Sequence, residues 1–162
     1  AAYKLWKPQG SSHGSITVPS TRAGDTVELT TSSDTTGIYS GCVGCSPKAL
    51  ISAGTHFECR LQTLDALEHS ILPGSLFMMA VHALTVPVTV STLVAKMDKS
   101  GNWSKGMVKC IPKDTQAIVV LHSEIPLALE PAEVVRALGR FVLRQGGETV
   151  AGGLVTKVLP LQ

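Results

Sequence analysis

Short runs of apolar residues, separated by turn-forming residues, dominate the chain from His56 onward. There are seven of them, at residues 57–64, 76–83, 86–97, 103–111, 116–122, 138–144 and 148–159. Bounded runs of this kind, rich in Val, Thr and Leu, are typical of β-strands. Their number and close spacing predict a closed or nearly closed antiparallel barrel.

The last two runs give the clearest pairing. Gly146 and Gly147 lie between them, and Gly-Gly is typical of a tight hairpin turn. Phe141 and Leu143 alternate with other residues before the turn, and Val150 and Leu154 are apolar after it. We therefore predict a β-hairpin whose four apolar side chains face the core.

The front of the chain has a different composition. Residues 11–46 are rich in Ser, Thr and Gly, with strand-like stretches at residues 25–30 and 38–43, and Pro47 then interrupts the pattern. This change predicts two domains, residues 1–48 and residues 49–162.

Two connections also have recognisable patterns. Residues 98–102 are small, polar and contain Gly101, which predicts a hairpin loop. Residues 131–138 begin with Pro and are followed by Gly139, which predicts one short helix.

The composition indicates a globular β protein. The chain has 162 residues, 44% hydrophobic and 16% charged, with 15 Gly and nine Pro. Its net charge of +2 does not by itself indicate nucleic-acid binding.

No apolar run reaches the roughly 18 residues of a spanning helix, so we expect no membrane partner and a cytoplasmic location with reduced cysteines. The sequence starts with Ala1 and not with Met, which suggests a fragment or an engineered piece of a longer protein, although processing could give the same start.

A series of landmarks gives the chain a family resemblance. In chain order they are residues 41–48, 55–61, 71–75, 86–101, 113–130 and 138–159. Over about residues 25–160 the chain resembles the C-terminal region of translational GTPases of the elongation factor 1-alpha and release-factor class. The resemblance implies an all-β fold: an antiparallel Greek-key β-barrel, the translation-factor C-terminal barrel, preceded by part of a second β-barrel.

Within that class, two features are most similar to the Hbs-type ribosome-rescue factor, the partner of Pelota. They are the Gly146-Gly147-x-Thr149-x-Ala151 turn and the Cys42-x-x-Cys45 segment, while Gln145 stands where the release-factor GTPase usually has an acidic residue. The resemblance implies a protein- and ribosome-docking module in rescue of stalled ribosomes and mRNA surveillance. Its partners would be a Pelota-like or release-factor protein and the ribosome. The alternative is the same region of a termination or elongation GTPase.

The phosphate-binding motif of a GTPase is absent from this sequence. No Gly-x-x-x-x-Gly-Lys-Ser/Thr occurs, and residues 95–98 lack the Asn of the guanine-reading Asn-Lys-x-Asp. We therefore expect no catalytic residue and no cofactor in this chain. GTP and Mg would belong to an N-terminal domain of the parent protein.

Arg140 and Arg144 are the strongest candidates for a binding role. Positions four apart share one face of a strand, so both guanidinium groups project together while Phe141 and Leu143 point inward. The family resemblance implies that this element binds a partner protein through Gly139, Arg140, Phe141, Leu143 and Arg144. The alternative hypothesis is that the arginines pair with nearby glutamates, Glu133 or Glu148, and only support the hairpin.

Five lysines surround the predicted hairpin loop: Lys96, Lys99, Lys105, Lys109 and Lys113. They form either a solvated face, opposed by Asp98 and Asp114, or a surface that contacts the phosphates of ribosomal RNA. Trp103 is the one aromatic residue nearby, so we expect no sequence-specific reading of RNA.

The cysteines and histidines offer a weaker, enzymatic alternative. Cys42 and Cys45 could build a small zinc or thiol protein, but zinc needs four ligands and no second pair follows, so we predict no metal and expect one or both to be small core residues. No Gly-x-Ser-x-Gly accompanies the histidines. We expect His82 and His122 to lie in barrel strands, and His13 and His69 to lie in polar loops.

Overall fold

The computed structural model describes residues 2–5, 16–30, 34–51, 53–104 and 106–159. It divides into two compact units, residues 1–38 and residues 39–162. The second unit begins earlier than the boundary after residue 48 that the composition predicts. In the described ranges, no helix has the length and apolar character needed to cross a bilayer.

The first unit contains a small antiparallel sheet. Its strands are β1 (Ala2–Leu5), β2 (Ile16–Val18) and β3 (Val27–Thr30), in the order β2-β1-β3. The strand predicted at residues 25–30 is therefore present. Its assignment to part of a second barrel stays a prediction.

Residues 39–51 contain turns, and the strand predicted at residues 38–43 is wrong. The Cys42 N–H donates to the Tyr39 carbonyl at 3.1 Å, which closes a turn. Gly41 has φ 103°, a left-handed conformation that favours glycine. A Cβ at Gly41 would also lie 2.3 Å from Leu84 Cγ, so the chain approaches the following barrel too closely for any side chain there.

Six strands of the second unit close into a barrel. They are β4 (Ala53–Thr63), β5 (Leu76–Val81), β6 (Leu84–Lys96), β7 (Gln116–Ala128), β8 (Arg140–Gln145) and β9 (Glu148–Leu159). Their order around the barrel is β4-β7-β6-β5-β8-β9, and every pair is antiparallel. Strands β5, β6 and β7 are successive neighbours, and β4 lies beside β7, which is a Greek-key arrangement. The predicted all-β Greek-key barrel is confirmed.

The described residues of the fourth apolar run, 103–104 and 106–111, do not form the predicted strand. The residues at its two ends make isolated bridges, Trp103 with Met97 and Ile111 with Ile71. Ile111 and Ile71 exchange both backbone hydrogen bonds, at 2.8 and 3.0 Å. The two ends of the segment therefore make their bridges to different parts of the chain. Ile111 bonds to Ile71, which lies in the connection between β4 and β5. The loop predicted at residues 98–102 is present, since the Asp98 N–H donates to the Asn102 carbonyl at 2.8 Å.

The helix predicted at residues 131–138 is also wrong. The Ala132 N–H donates to the Val155 carbonyl, and the Val155 N–H donates to the Gly139 carbonyl, at 2.9 and 2.8 Å. An eight-residue helix would hold its ends about 10 Å apart, whereas here both ends bond the same residue. The segment therefore folds back as consecutive turns. Only glycine fits at position 139, because a Cβ there would lie 2.5 Å from the backbone N of Ala132.

Alternate residues of the six strands fill the barrel interior. Phe57, Cys59 and Leu61 of β4 are at most 2% exposed. Thr63 is also fully buried, and its hydroxyl donates to the Pro112 carbonyl at 2.8 Å while accepting from the Thr115 N–H at 2.8 Å. This polar residue therefore joins β4 to the loop before β7 with its hydrogen bonds satisfied.

Leu154 faces solvent, contrary to the prediction that it faces the core. The register between β8 and β9 places Arg144 opposite Thr149 and Leu143 opposite Ala151, so Val150 is an extra residue. Such a bulge reverses which positions of the strand point inward. Val150 and Ala151 are consequently both buried, and Leu154 is 42% exposed.

Two adjacent glycines in β9 have opposite surroundings. Gly153 lies opposite Phe141, and a Cβ there would be 2.5 Å from Phe141 Cζ and 2.9 Å from the carbonyl oxygen of Arg60. A Cβ at Gly152 would meet nothing within 4 Å. The Phe141 ring therefore fills the space that glycine leaves at position 153.

We predict that Gly153→Ala lowers the free energy of unfolding by roughly 1–3 kcal/mol, the usual cost of overpacking a core. Gly152→Ala is the matched control, and it should leave stability unchanged or raise it by up to about 1 kcal/mol. Urea unfolding of both variants measures the difference. Equal stabilities for the two variants would contradict the packing described here.

Candidate functional site

The alternation predicted for residues 140–144 is present in β8. Arg140 and Arg144 are exposed, whereas Phe141 and Leu143 are 4% and 0% exposed. The two arginines therefore share the outer face of the barrel, and the two apolar residues anchor the strand that carries them. Gly139, directly before β8, packs closely against the backbone of Ala132.

The structure does not show the alternative arrangement, in which these arginines pair with Glu133 or Glu148. Among the described residues, no ion pair involves Arg140 or Arg144. Arg144 Nη2 instead donates to the Gly147 carbonyl at 2.7 Å, across the hairpin turn. Arg144 thus stabilises the turn with one donor, and its charge has no carboxylate partner.

Exposed apolar side chains accompany the arginines. Met78 of β5 is the register partner of Arg144 and is 40% exposed, and Val142, between the two arginines, is 37% exposed. Arg and Met are enriched in protein–protein interfaces relative to the rest of the surface. The outer face of β5 and β8 therefore has the composition of a protein-docking surface.

Two lysines of the series are bonded within the chain. Lys113 pairs with Asp65, and Lys96 Nζ donates to the Cys110 carbonyl at 3.4 Å. Lys99 and Lys109 are exposed and have no bonded partner in the described part of the chain, and Lys105 lies outside the described residues. RNA contact by these lysines stays a prediction.

The cysteine pair lies on the surface. Cys42 and Cys45 are both exposed, so the expectation of core residues is wrong, because residues 39–51 form turns and no strand. Cys59 is the buried one, and burial, with the nearby Glu58 carboxylate, raises the pKa of its thiol. Within the described ranges, no three His, Cys, Asp or Glu residues are grouped so as to hold a metal ion.

The histidines divide between turn and strand. His82 is exposed in the two-residue turn between β5 and β6, with φ 49°, so its prediction as a barrel-strand residue is wrong. His122 does lie in β7, and its ring faces that of His56 with centroids 4.4 Å apart. His69 is in a loop, as predicted, and His13 lies outside the described residues.

Sequence reasoning missed Arg60. Its guanidinium carbon lies 5.4 Å from the centroid of the Trp103 ring, and Nη2 donates to Gln116 Oε1 at 2.8 Å. Beside it is an open groove of about 330 Å³, lined by Arg60, Leu61, Gln62, Gln116, Gly152, Gly153 and Leu154. The one local signal is the outward position of Arg60 in β4. Gln116 of β7 and residues 152–154 of β9 are brought beside it only by the register.

The closed six-stranded Greek-key barrel matches the C-terminal barrel of translation factors. Residues 56–156 match the family described as GTP-eEF1A C-terminal domain-like. The chain belongs to this family, which confirms the resemblance found in the sequence.

Curated relatives support the same assignment. The chain is 31% identical over 142 residues to the eukaryotic peptide chain release factor GTP-binding subunit of Schizosaccharomyces pombe. It is 30% identical over 138 residues to protein HBS1 of Drosophila melanogaster, and 37% identical over 114 residues to elongation factor 1-alpha of Pyrococcus furiosus. These matches cover 88%, 84% and 70% of the chain, and 21%, 20% and 26% of the relatives. The chain thus spans about a fifth to a quarter of their length.

Solved structures agree. The structure of sup35 complexed with GDP matches with a TM-score of 0.82 at 30% identity, covering 98% of this chain and 37% of that one. The structure of sup35 complexed with GMPPNP matches with a TM-score of 0.78 at 27% identity, with the same coverage.

The ion pair of Lys113 gives a prediction about protonation. Hydrogen bonding and attraction from Lys113 lower the pKa of the Asp65 carboxyl, and Asp65 raises the pKa of Lys113. Lys113→Met should therefore raise the pKa of Asp65 towards that of a free aspartate, about 3.9. NMR titration of the Asp65 carboxyl carbon measures this change. Lys109→Met, which removes an exposed lysine elsewhere, should leave it unaltered.

The ion pair between Asp65 and Lys113 also makes the folding stability depend on pH. Because folding lowers the pKa of Asp65, the contribution of the pair is present above the unfolded-state pKa and is lost as pH falls through the folded-state value. In the Lys113→Met variant, the free energy of unfolding should therefore fall less as the pH drops from the unfolded-state pKa of Asp65 to its folded-state pKa. An unchanged Asp65 titration in this variant would show that the pair does not form in solution.

Proposed function

We propose that this chain is the protein- and ribosome-docking module of a translational GTPase that acts in rescue of stalled ribosomes and mRNA surveillance. The module binds a Pelota-like, tRNA-mimicking partner through the outer face of β8. The observation that carries this proposal is a pair of exposed arginines, Arg140 and Arg144, without carboxylate partners, beside exposed Met78 and Val142.

The similar proteins support this role at the level of the class. They include a release factor GTP-binding subunit, an HBS1 protein and an elongation factor 1-alpha, all proteins of translation. The Gly146-Gly147-x-Thr149-x-Ala151 turn and Gln145 favour the rescue branch. The release-factor branch is the second candidate, favoured by the 31% identity to a release factor GTP-binding subunit over 88% of the chain. No structural observation favours a zinc or thiol protein built on Cys42 and Cys45.

The barrel would act by rigid positioning. Its strands are hydrogen-bonded on both sides around a closed ring, so a docking face on β8 is held in fixed geometry. Phosphoryl chemistry, with GTP and Mg, would belong to another domain of the parent protein, in the cytoplasm. Within the lysine series, Lys99 and Lys109 are the described members without a bonded partner, and we propose them for non-specific contact with ribosomal RNA.

We predict that the chain retains a Pelota-like protein in a pull-down, and that Arg140→Ala/Arg144→Ala reduces the affinity at least about tenfold. The reason is the loss of two guanidinium groups from an otherwise intact face. The same assay with a class-one release factor distinguishes the two branches. Tighter binding of the Pelota-like protein supports the rescue branch, and tighter binding of the release factor supports termination.

Two controls make the result interpretable. Arg22→Ala removes an exposed arginine from the first compact unit, and it should leave affinity unchanged. Both arginines are exposed, so each variant should stay folded, and the double variant should melt at most a few degrees below the wild type because Arg144→Ala removes the hydrogen bond to the Gly147 carbonyl. Retention of neither partner by the wild type, in the chain and in the full-length parent, would refute the proposal.

A further inference from the structure

Arg140, Leu154 and Arg60 stand in one line across three strands of the outer barrel surface. Arg140 is the register partner of Leu154, which is in turn the partner of Arg60. All three residues are exposed. Neighbouring strands are about 4.8 Å apart, so the backbones of the two arginines flank Leu154 across a span of about 10 Å.

The Arg60 guanidinium is held in a defined orientation. The Trp103 ring lies within cation–π distance, and the Gln116 side-chain oxygen accepts one hydrogen bond. A guanidinium has five N–H donors, so further donors remain for a ligand. An oriented, planar guanidinium suits bidentate binding of a carboxylate with little loss of side-chain entropy.

The charge of this groove is not neutralised by the chain itself. In the described ranges, no ion pair involves Arg60 or Arg140. Glu58, the nearest outward-facing acid on β4, lies 3.6 Å from Lys157 Nζ and accepts a hydrogen bond from the Thr156 hydroxyl at 3.1 Å. The groove therefore attracts negative charge from elsewhere.

The groove also has room and an apolar element. Nothing lies within 4 Å of the position that a Cβ of Gly152 would occupy, so the space above this residue is open. Leu154, 42% exposed, stands beside it between the two arginines. The surface thus combines two cations, one aliphatic side chain and an open backbone floor.

We propose that the groove lined by Arg60, Gln116, Gly152 and Leu154, together with Arg140 on the neighbouring strand β8, binds an acidic segment of the partner protein that carries an aliphatic side chain. Carboxylates of the segment would bond Arg60 and Arg140, and its aliphatic side chain would pack on Leu154. This inference rests on the proposed function, because the segment belongs to the same partner. It extends the docking surface from β8 across β9 to β4, and makes Arg60 a further binding residue.

The observations favour a protein segment over RNA. Arg60 lies over one face of the Trp103 ring, so that face is not free for a base to stack on. Leu154 offers apolar contact at the centre of the groove, which a sugar-phosphate backbone would not use. Lys96 and Lys113, two lysines of the basic series, are engaged within the chain.

The test measures the affinity of the chain for the Pelota-like protein and for the class-one release factor by calorimetry. Arg60→Ala should weaken binding of the retained partner about tenfold. Arg60→Lys keeps the charge but loses the planar donors, and it should give an intermediate loss. Trp103→Leu, which releases the guanidinium from its ring contact, should also weaken binding, and Arg22→Ala should not.

Each outcome decides the inference. If Arg140→Ala/Arg144→Ala weakens binding and both Arg60 variants bind like the wild type, the inference is overturned while the proposed function stands. If the wild type binds neither protein, both fall together. Poly-uridine RNA is the third ligand tested. If the Arg60 variants lose RNA binding but keep protein binding, the inference is also overturned. Circular dichroism melting identifies unfolded variants, and Arg60→Lys, which keeps the aliphatic stem, then decides the question.

Discussion

The pairing of β9 with β4 is the interaction on which the rest of the structure depends. It joins the last strand to the first strand of the barrel, so every strand has two hydrogen-bonded neighbours and no edge is left open. This closure requires a close approach at Gly153, where the Phe141 ring occupies the place of a side chain. The Phe141 ring therefore packs where β8, β9 and β4 meet, and the backbone ladders hold the three strands together.

The closed ring also explains how the outer wall can act in binding. Alternate residues of each strand fill the interior with apolar side chains, which leaves the chemistry to the outward positions. On β8, β9 and β4 those positions hold arginines and exposed aliphatic residues, with few acids to neutralise them. A docking surface of this kind needs no moving part, because rigidity reduces the entropy lost when a partner binds.

Much of the fold was predictable because alternation of apolar residues is a local property. Six of the seven apolar runs became barrel strands, and the alternation of Phe141 and Leu143 placed Arg140 and Arg144 outside. The failures have tertiary causes. Residues 131–138 have a helical pattern, but both ends bond Val155. Residues 103–111 have a strand pattern, but the bridges at their two ends go to different partners, Met97 and Ile71.

The sequence by itself determined the class of fold, the family and the arginine-bearing face of β8, since each follows from residue types at short spacing. Only the tertiary structure decided that Leu154 points outward, because a bulge at Val150 shifts the phase of β9. Only the register decided that Leu154 stands between Arg140 and Arg60, residues from strands far apart in the chain. Hydrogen bonding between strands aligns such residues, and no local pattern in the sequence encodes that alignment.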